Sequence, residues 1–222
     1  MSNSETAAYF DLDGTLLDGS SEKALISALL KRRPWRLPLT ITMWTLRCAG
    51  SMLIGRGWYD SARNRGHFTM SSWQELETLA QQIVTNNLSK KVSKAAKDRL
   101  QWHREQGHRI VLLSATIAPM AEAMGKELGV DQVYSSGPSE RKGRLSGSEK
   151  GWLVPRNKGK VPIVQKDAVD NGHNFSKCWA YGNSYADVHF MALCGNAMAV
   201  NPDARLKRSA QEHGWSTVTW KA

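Results

Sequence analysis

Asp11 and Asp13 stand two residues apart in YFDLDGTLL, residues 9–17. An extended chain alternates its side chains, so this spacing predicts both carboxylates on one face, at the end of an apolar run. Carboxylates gathered at one point repel each other, and burial adds to the cost. A divalent cation relieves both effects, and a site offering only oxygen ligands points to Mg²⁺. Three further constellations complement the pair. SAT at 114–116 offers a hydroxyl and the backbone N–H groups of Ser114 and Ala115 for phosphate oxygens. RNKGK at 156–160 offers Lys158 and Lys160, each a compact positive charge. GNSYAD at 182–187 offers Asn183 and Asp187. Gly14 lets the backbone approach a ligand closely. A metal, a nucleophilic carboxylate, a phosphate cradle and a second carboxylate to move a proton together make a phosphoryl-transfer site.

Elements must bring these groups to one place. AAYFDLD at 7–13 predicts a first strand, RIVLLSA at 109–115 a second, DQVYSS at 131–136 a short third. KCWAYGN, AMAVN and STVTW continue the series, with helices at about 118–129, 160–171 and 185–193 and a further one over DARLKRSAQEHG. Residues 137–160, rich in Gly, Ser and charge, suit a hairpin or loop. Apolar strands alternating with helices indicate a parallel sheet covered on both faces. In such sheets ligands bind beyond the carboxyl ends of the strands, which is where all four constellations fall. Residues 14–107 are too long for a simple crossover and predict an inserted helical unit. Within it, helices are expected at about 21–32, with Ser20 or Ser21 as cap, at 71–88 and at 90–106. The apolar stretch 37–54 is interrupted by Arg47, three threonines and a serine, and reads as a buried or surface-docking helix rather than a membrane span.

DLDGT, VLLSAT, NKGK and GNSYAD, in that order, resemble the four motifs of the haloacid dehalogenase-like (HAD) superfamily. VLLSAT…AEAMGKELGVDQVYSS and GNAMAVNPDARLKRSAQEHGW are similar to its phosphoserine-phosphatase-like branch. That branch also holds phosphatases of other small phosphomonoesters and a phosphatidylglycerophosphate phosphatase. The resemblance implies an α/β fold with a Rossmann-like core over residues 1–17 and 90–222 and a helical cap over 18–89. It implies Asp11 as the nucleophile, forming an aspartyl-phosphate, and Asp13 as the acid that protonates the leaving group and then activates water. Mg²⁺ would be held by Asp11, the Asp13 backbone carbonyl, Asn183 and Asp187. Gly14, Ser114, Ala115 and Lys160 would bind the phosphoryl group, with Lys158 the second choice for the lysine. The family usually has an acid where Asn183 stands; an amide offers an oxygen without charge. This departure keeps open a degenerate, non-catalytic binding protein as an alternative to the enzyme.

The chain has 222 residues, 41% hydrophobic and 23% charged, which suits a soluble globular protein. Three scattered cysteines make no disulfide framework, and the start lacks a basic, apolar leader, so a cytoplasmic protein is expected. The net charge is +10, and residues 20–110 carry all of it, with 16 lysines and arginines against six acids. The plainer reading is a solvated basic helical surface over a small phosphorylated substrate. The other is peripheral contact with an anionic membrane and a lipid-phosphate substrate, because KRRPWR at 31–36 adjoins the apolar helix. No base-reading motif accompanies the charge, and no nucleic-acid partner is expected. The six histidines show no trusted ligand spacing.

Overall fold

A computed structural model describes residues 5–62 and 64–221. The first residues of the chain, on which the leader argument rests, lie outside them. Among the described residues the main sheet has six strands: β1 (Ala7–Phe10), β2 (Arg109–Ile117), β3 (Gln132–Ser136), β6 (Trp179–Gly182), β7 (Asn196–Val200) and β8 (Ser216–Val218). Their order is β3-β2-β1-β6-β7-β8, and every pairing is parallel. A two-stranded antiparallel hairpin, β4 (Glu140–Arg141) with β5 (Arg144–Leu145), occupies part of the predicted loop region.

The period of two sorts the core. Ala8 and Phe10 of β1, with Ile110 and Leu112 of β2, face one hydrophobic cluster; Ala7, Tyr9, Val111 and Leu113 face the other. The first face is covered by α5 (Lys94–Glu105) and α6 (Ala118–Leu128), and α1 (Ser21–Arg32) and α4 (Trp73–Asn86) join the same cluster by packing on α6 and on each other. The second is covered by α7 (Lys160–Asn171), α8 (Val188–Met191) and α9 (Ala204–His213). Two more helices, α2 (Leu37–Leu53) and α3 (Trp58–Ala62), lie between α1 and α4. Leu25, Leu29, Leu76 and Ala80, from the inserted helices, are buried in the same cluster as the sheet residues of that face.

Helix starts follow local chemistry. The hydroxyls of Ser20, Ser72 and Ser93 accept the N–H of Lys23, Glu75 and Ala96, capping α1, α4 and α5. Helices α6, α7 and α9 end on left-handed Gly129, Gly172 and Gly214. Three boundaries differ from the sequence reading. The first strand stops at Phe10, because the Leu12 carbonyl accepts the N–H of Thr15 (3.2 Å) and Leu17 (3.0 Å) and curls the chain. The second continues to Ile117 through a register shift after Leu113. The predicted helix at 185–193 is a 3-10 turn, Tyr185–Asp187, followed by the single helical turn of α8.

Candidate active site

All four residues of β1 are buried, and the next N–H, that of Asp11, donates to the Tyr181 carbonyl of β6 (3.0 Å). The Asp11 carboxylate is therefore held rigidly at the strand's end. Asp13 lies in the following turn, not at an alternate strand position, and its Oδ1 accepts the N–H of Ser21 (2.9 Å). Both acids still line one cavity of about 490 Å³ at the carboxyl edge of the sheet. Burial pushes the Asp11 carboxyl up to about 7, against the pull of Lys160, and pushes Asp13 up as well.

Gly14 has a φ of +86°, and a Cβ there would lie 2.1 Å from Asn183 Nδ2. The close approach this glycine allows is to the Asn183 side chain, not directly to a ligand. Thr15 Oγ1 sits 3.3 Å from Asp11 Oδ2 and 3.4 Å from Asn183 Oδ1, so one hydroxyl ties the first motif to the fourth.

Lys160 opens α7. Its Nζ lies 2.6 Å from Asp11 Oδ1 and 2.7 Å from Asp187 Oδ1, and the side chain is buried. Burial alone would lower its pKa, but the two carboxylates drive it above the usual lysine range. The ammonium therefore stays charged between its two carboxylate partners. Gly159 makes the placement feasible: a Cβ there would lie 2.4 Å from the Val154 carbonyl. Lys158 is exposed and does not line the cavity. Asp187 Oδ2 accepts the N–H groups of Asn183 (3.3 Å) and Ser184 (3.2 Å), so this acid organises its own turn while its other oxygen meets Lys160.

The opposite wall comes from β2. Ser114 is buried, and its Oγ accepts the Thr116 N–H (3.2 Å), which leaves its O–H to donate. Ala115 lines the cavity too, with its carbonyl taken by Arg65 and by the Ser136 hydroxyl (2.6 Å).

Among the lining groups that sequence reasoning missed are Glu22, Arg65 and His67. Arg65 is buried; it ion-pairs with Glu22 of α1, lies 3.1 Å from Glu149 Oε1, and donates to Ser136 Oγ (2.8 Å). Burial would raise the Glu22 carboxyl, but Arg65 and His67 hold it below the usual range. Glu22 and Arg65 are 43 residues apart, on a helix and an irregular loop, and no local spacing signals their meeting.

The donor chemistry fits a hard cation. Asp11 Oδ2 and Asn183 Oδ1 converge on one hydroxyl, Asp187 is four residues from Asn183, and every candidate ligand atom is oxygen. Among the described residues no group of three or more His, Cys, Asp or Glu is spaced to hold a metal, so neutral oxygens must complete any such set.

Known proteins resemble this chain in sequence and in fold. The chain is 29% identical over 213 residues to phosphoserine phosphatase SerB1 of Mycobacterium tuberculosis, covering 94% of this chain and 69% of that one. It is 25% identical over 233 residues to a histidinol-phosphatase of Neisseria meningitidis, covering 96% and 98%. The fold superposes on a crystal structure of a protein of unknown function from Bordetella pertussis with a TM-score of 0.76 and 22% identity, over 96% and 97% of the two chains. The profile of the haloacid dehalogenase-like hydrolases matches residues 8–192, and the chain belongs to that family.

Proposed function

We propose that this enzyme is a Mg²⁺-dependent phosphomonoesterase that acts on a small phosphorylated metabolite through an aspartyl-phosphate. The observation that carries the reading is the buried Lys160 ammonium bridging Asp11 and Asp187 at the floor of a cavity whose other wall is Ser114. Lys160 and the Ser114 hydroxyl hold the phosphoryl oxygens and stabilise the charge that develops on them. One Asp11 oxygen attacks phosphorus; the Asp11–phosphorus bond forms as the bond to the leaving oxygen breaks. Asp13, whose carboxyl burial keeps protonated to higher pH, gives its proton to that oxygen. The Asp13 carboxylate then takes a proton from a water that attacks the phosphorus. This releases phosphate, frees Asp11 and reprotonates Asp13. Asp11, the Asp13 carbonyl, Asn183 and Asp187 would hold Mg²⁺, which when bound would neutralise charge on the phosphate and the clustered acids.

Residues 18–89 act as a cap that selects the substrate. Glu22, ion-paired with the buried Arg65, lines the cavity and offers a carboxylate to the substrate's non-phosphate end. Phosphoserine and histidinol phosphate both carry an ammonium that an acid can meet, and the relatives' names make them the first substrates to test. Phosphate release with Mg²⁺ from these two compounds and from p-nitrophenyl phosphate is expected for the wild type and is abolished in Asp11→Asn. Equal inactivity of both proteins across a broad phosphoester panel overturns the catalytic reading.

A further inference from the structure

Among the described residues, eight of the twelve large exposed apolar side chains lie within residues 35–58. They decorate α2 and its flanks. The inner face of this helix is formed by Thr40, Met43, Trp44, Arg47, Cys48 and Ser51, all half-buried or buried, at helical spacing. The opposite face is exposed along the whole helix and carries no charged side chain: Leu37, Ile41, Leu46, Met52 and Leu53 project from it, Leu53 at 88% exposure. Thr45 on this face folds its hydroxyl back onto the Ile41 carbonyl (2.7 Å), which removes a polar group from the surface. Tryptophans mark both ends, Trp35 at 70% and Trp58 at 62% exposure.

Charge completes the pattern. From Lys23 to Trp58 the chain has seven basic residues and no acid. Arg36 and Arg47 are used internally, on the Thr69 carbonyl and the Ser146 carbonyl, but Lys31 and Arg32 before the helix and Arg56 after it are exposed. An uncharged apolar helix face with tryptophans and cations at its two ends is complementary to an anionic lipid–water interface: apolar side chains enter the acyl boundary, tryptophans sit at headgroup level, and cations meet phosphates. No helix among the described residues is long and apolar enough to cross a membrane, so any contact runs along the surface.

We infer that α2 with its flanking residues 31–36 and 54–58 is a docking surface for an anionic membrane. The helix is firmly fastened to the catalytic side of the molecule. Trp44 Nε1 donates to the Ala62 carbonyl (2.9 Å), and a Cβ on Gly66 would lie 2.7 Å from the Met43 carbonyl, so α2 packs directly behind the loop that carries Arg65 and His67. Docking would therefore fix the cavity's orientation to the lipid surface. The inference does not depend on the chemistry proposed for the cavity.

Co-sedimentation of the full-length protein with vesicles tests it, using phosphatidylcholine alone and phosphatidylcholine mixed with phosphatidylglycerol. Binding is expected to the anionic vesicles at low salt, weakened by high salt. The Leu53→Glu/Ile54→Glu variant is expected to lose at least about tenfold in partition, because two apolar side chains no longer enter the interface. Arg32→Gln and Arg56→Gln are each expected to lose about fivefold. Far-UV circular dichroism and thermal melting should be unchanged in all of them, which shows that they fold. The inference is overturned if the wild type ignores anionic vesicles at low salt, or if Leu53→Glu/Ile54→Glu binds as well as wild type. It is equally overturned if the wild type is a dimer that this variant makes monomeric, since a second copy would then be what covers the face.

Discussion

Lys160 joins the architecture of the cavity to the proposed chemistry through a single side chain. Its ammonium is the cation that allows two buried carboxylates, Asp11 and Asp187, to face each other. Replacing it by methionine keeps the volume and removes the charge. The expected outcome is a loss of about 10²–10³ in turnover, with a destabilisation of about 3–5 kcal/mol from the uncompensated acids, read by phosphate release and by denaturant melts. A Lys160→Met protein as stable and active as wild type would remove the lysine from both roles. At this scale the sequence was legible wherever neighbours along the chain stay neighbours in space. Asp11, Asp13, Asn183 and Asp187 are found in one cavity because each follows the end of a strand of the sheet, and Ser114 joins them from the carboxyl-terminal part of β2. Glu22 and Arg65 were not legible, since the loop that carries Arg65 has no periodic pattern and its partners come from four separate segments.

Between α5 and the sheet lies an aromatic layer that governs a different property. His103 is fully buried; one ring nitrogen meets the Tyr181 hydroxyl (2.8 Å), the other His108 Nδ1 (2.8 Å), and its ring packs edge-on against Phe10. Burial, then His108 and Arg99, push its pKa down from 6.5 to about 3. The folded state thus keeps this ring neutral where the unfolded chain would protonate it. Its contribution is fully present above pH 6.5 and is lost as pH falls from 6.5 towards 3, by ~3 kcal/mol near pH 4. His103→Gln should flatten that part of the stability curve, as measured by urea unfolding at pH 7.5, 5.5 and 4.5; an unchanged slope would place the acid sensitivity elsewhere. Secondary-structure elements were read well where period and caps agree, as in α1, α4 and α5. They were read less well at strand ends, where Leu12 and the bulge after Leu113 redirect the backbone through bonds that no residue pattern announces.

Seen as a whole, the molecule is α/β because the sequence alternates apolar strands with helices, and that alternation is visible in the chain itself. Strand order is not. β1 pairs through Phe10 with Leu112 on one side and with Tyr181 on the other. Those partners are supplied by segments made long after β1, and this has a consequence for synthesis. At roughly 5–20 residues per second, the first strand waits roughly 10–30 s for its second neighbour. During that interval a buried-to-be segment has at least one open edge, a template for pairing with other chains. Closure of both β1 edges therefore waits until β6 emerges. Nascent chains halted after Pro155 should remain sensitive to protease across β1 and β2, and full-length chains should resist. A resistant fragment in the shorter chains would mean that the N-terminal half closes alone. The rigidity that holds Asp11 in place is thus acquired only once β6 has been made, and cells that make this protein quickly would need chaperones to shield its first strand.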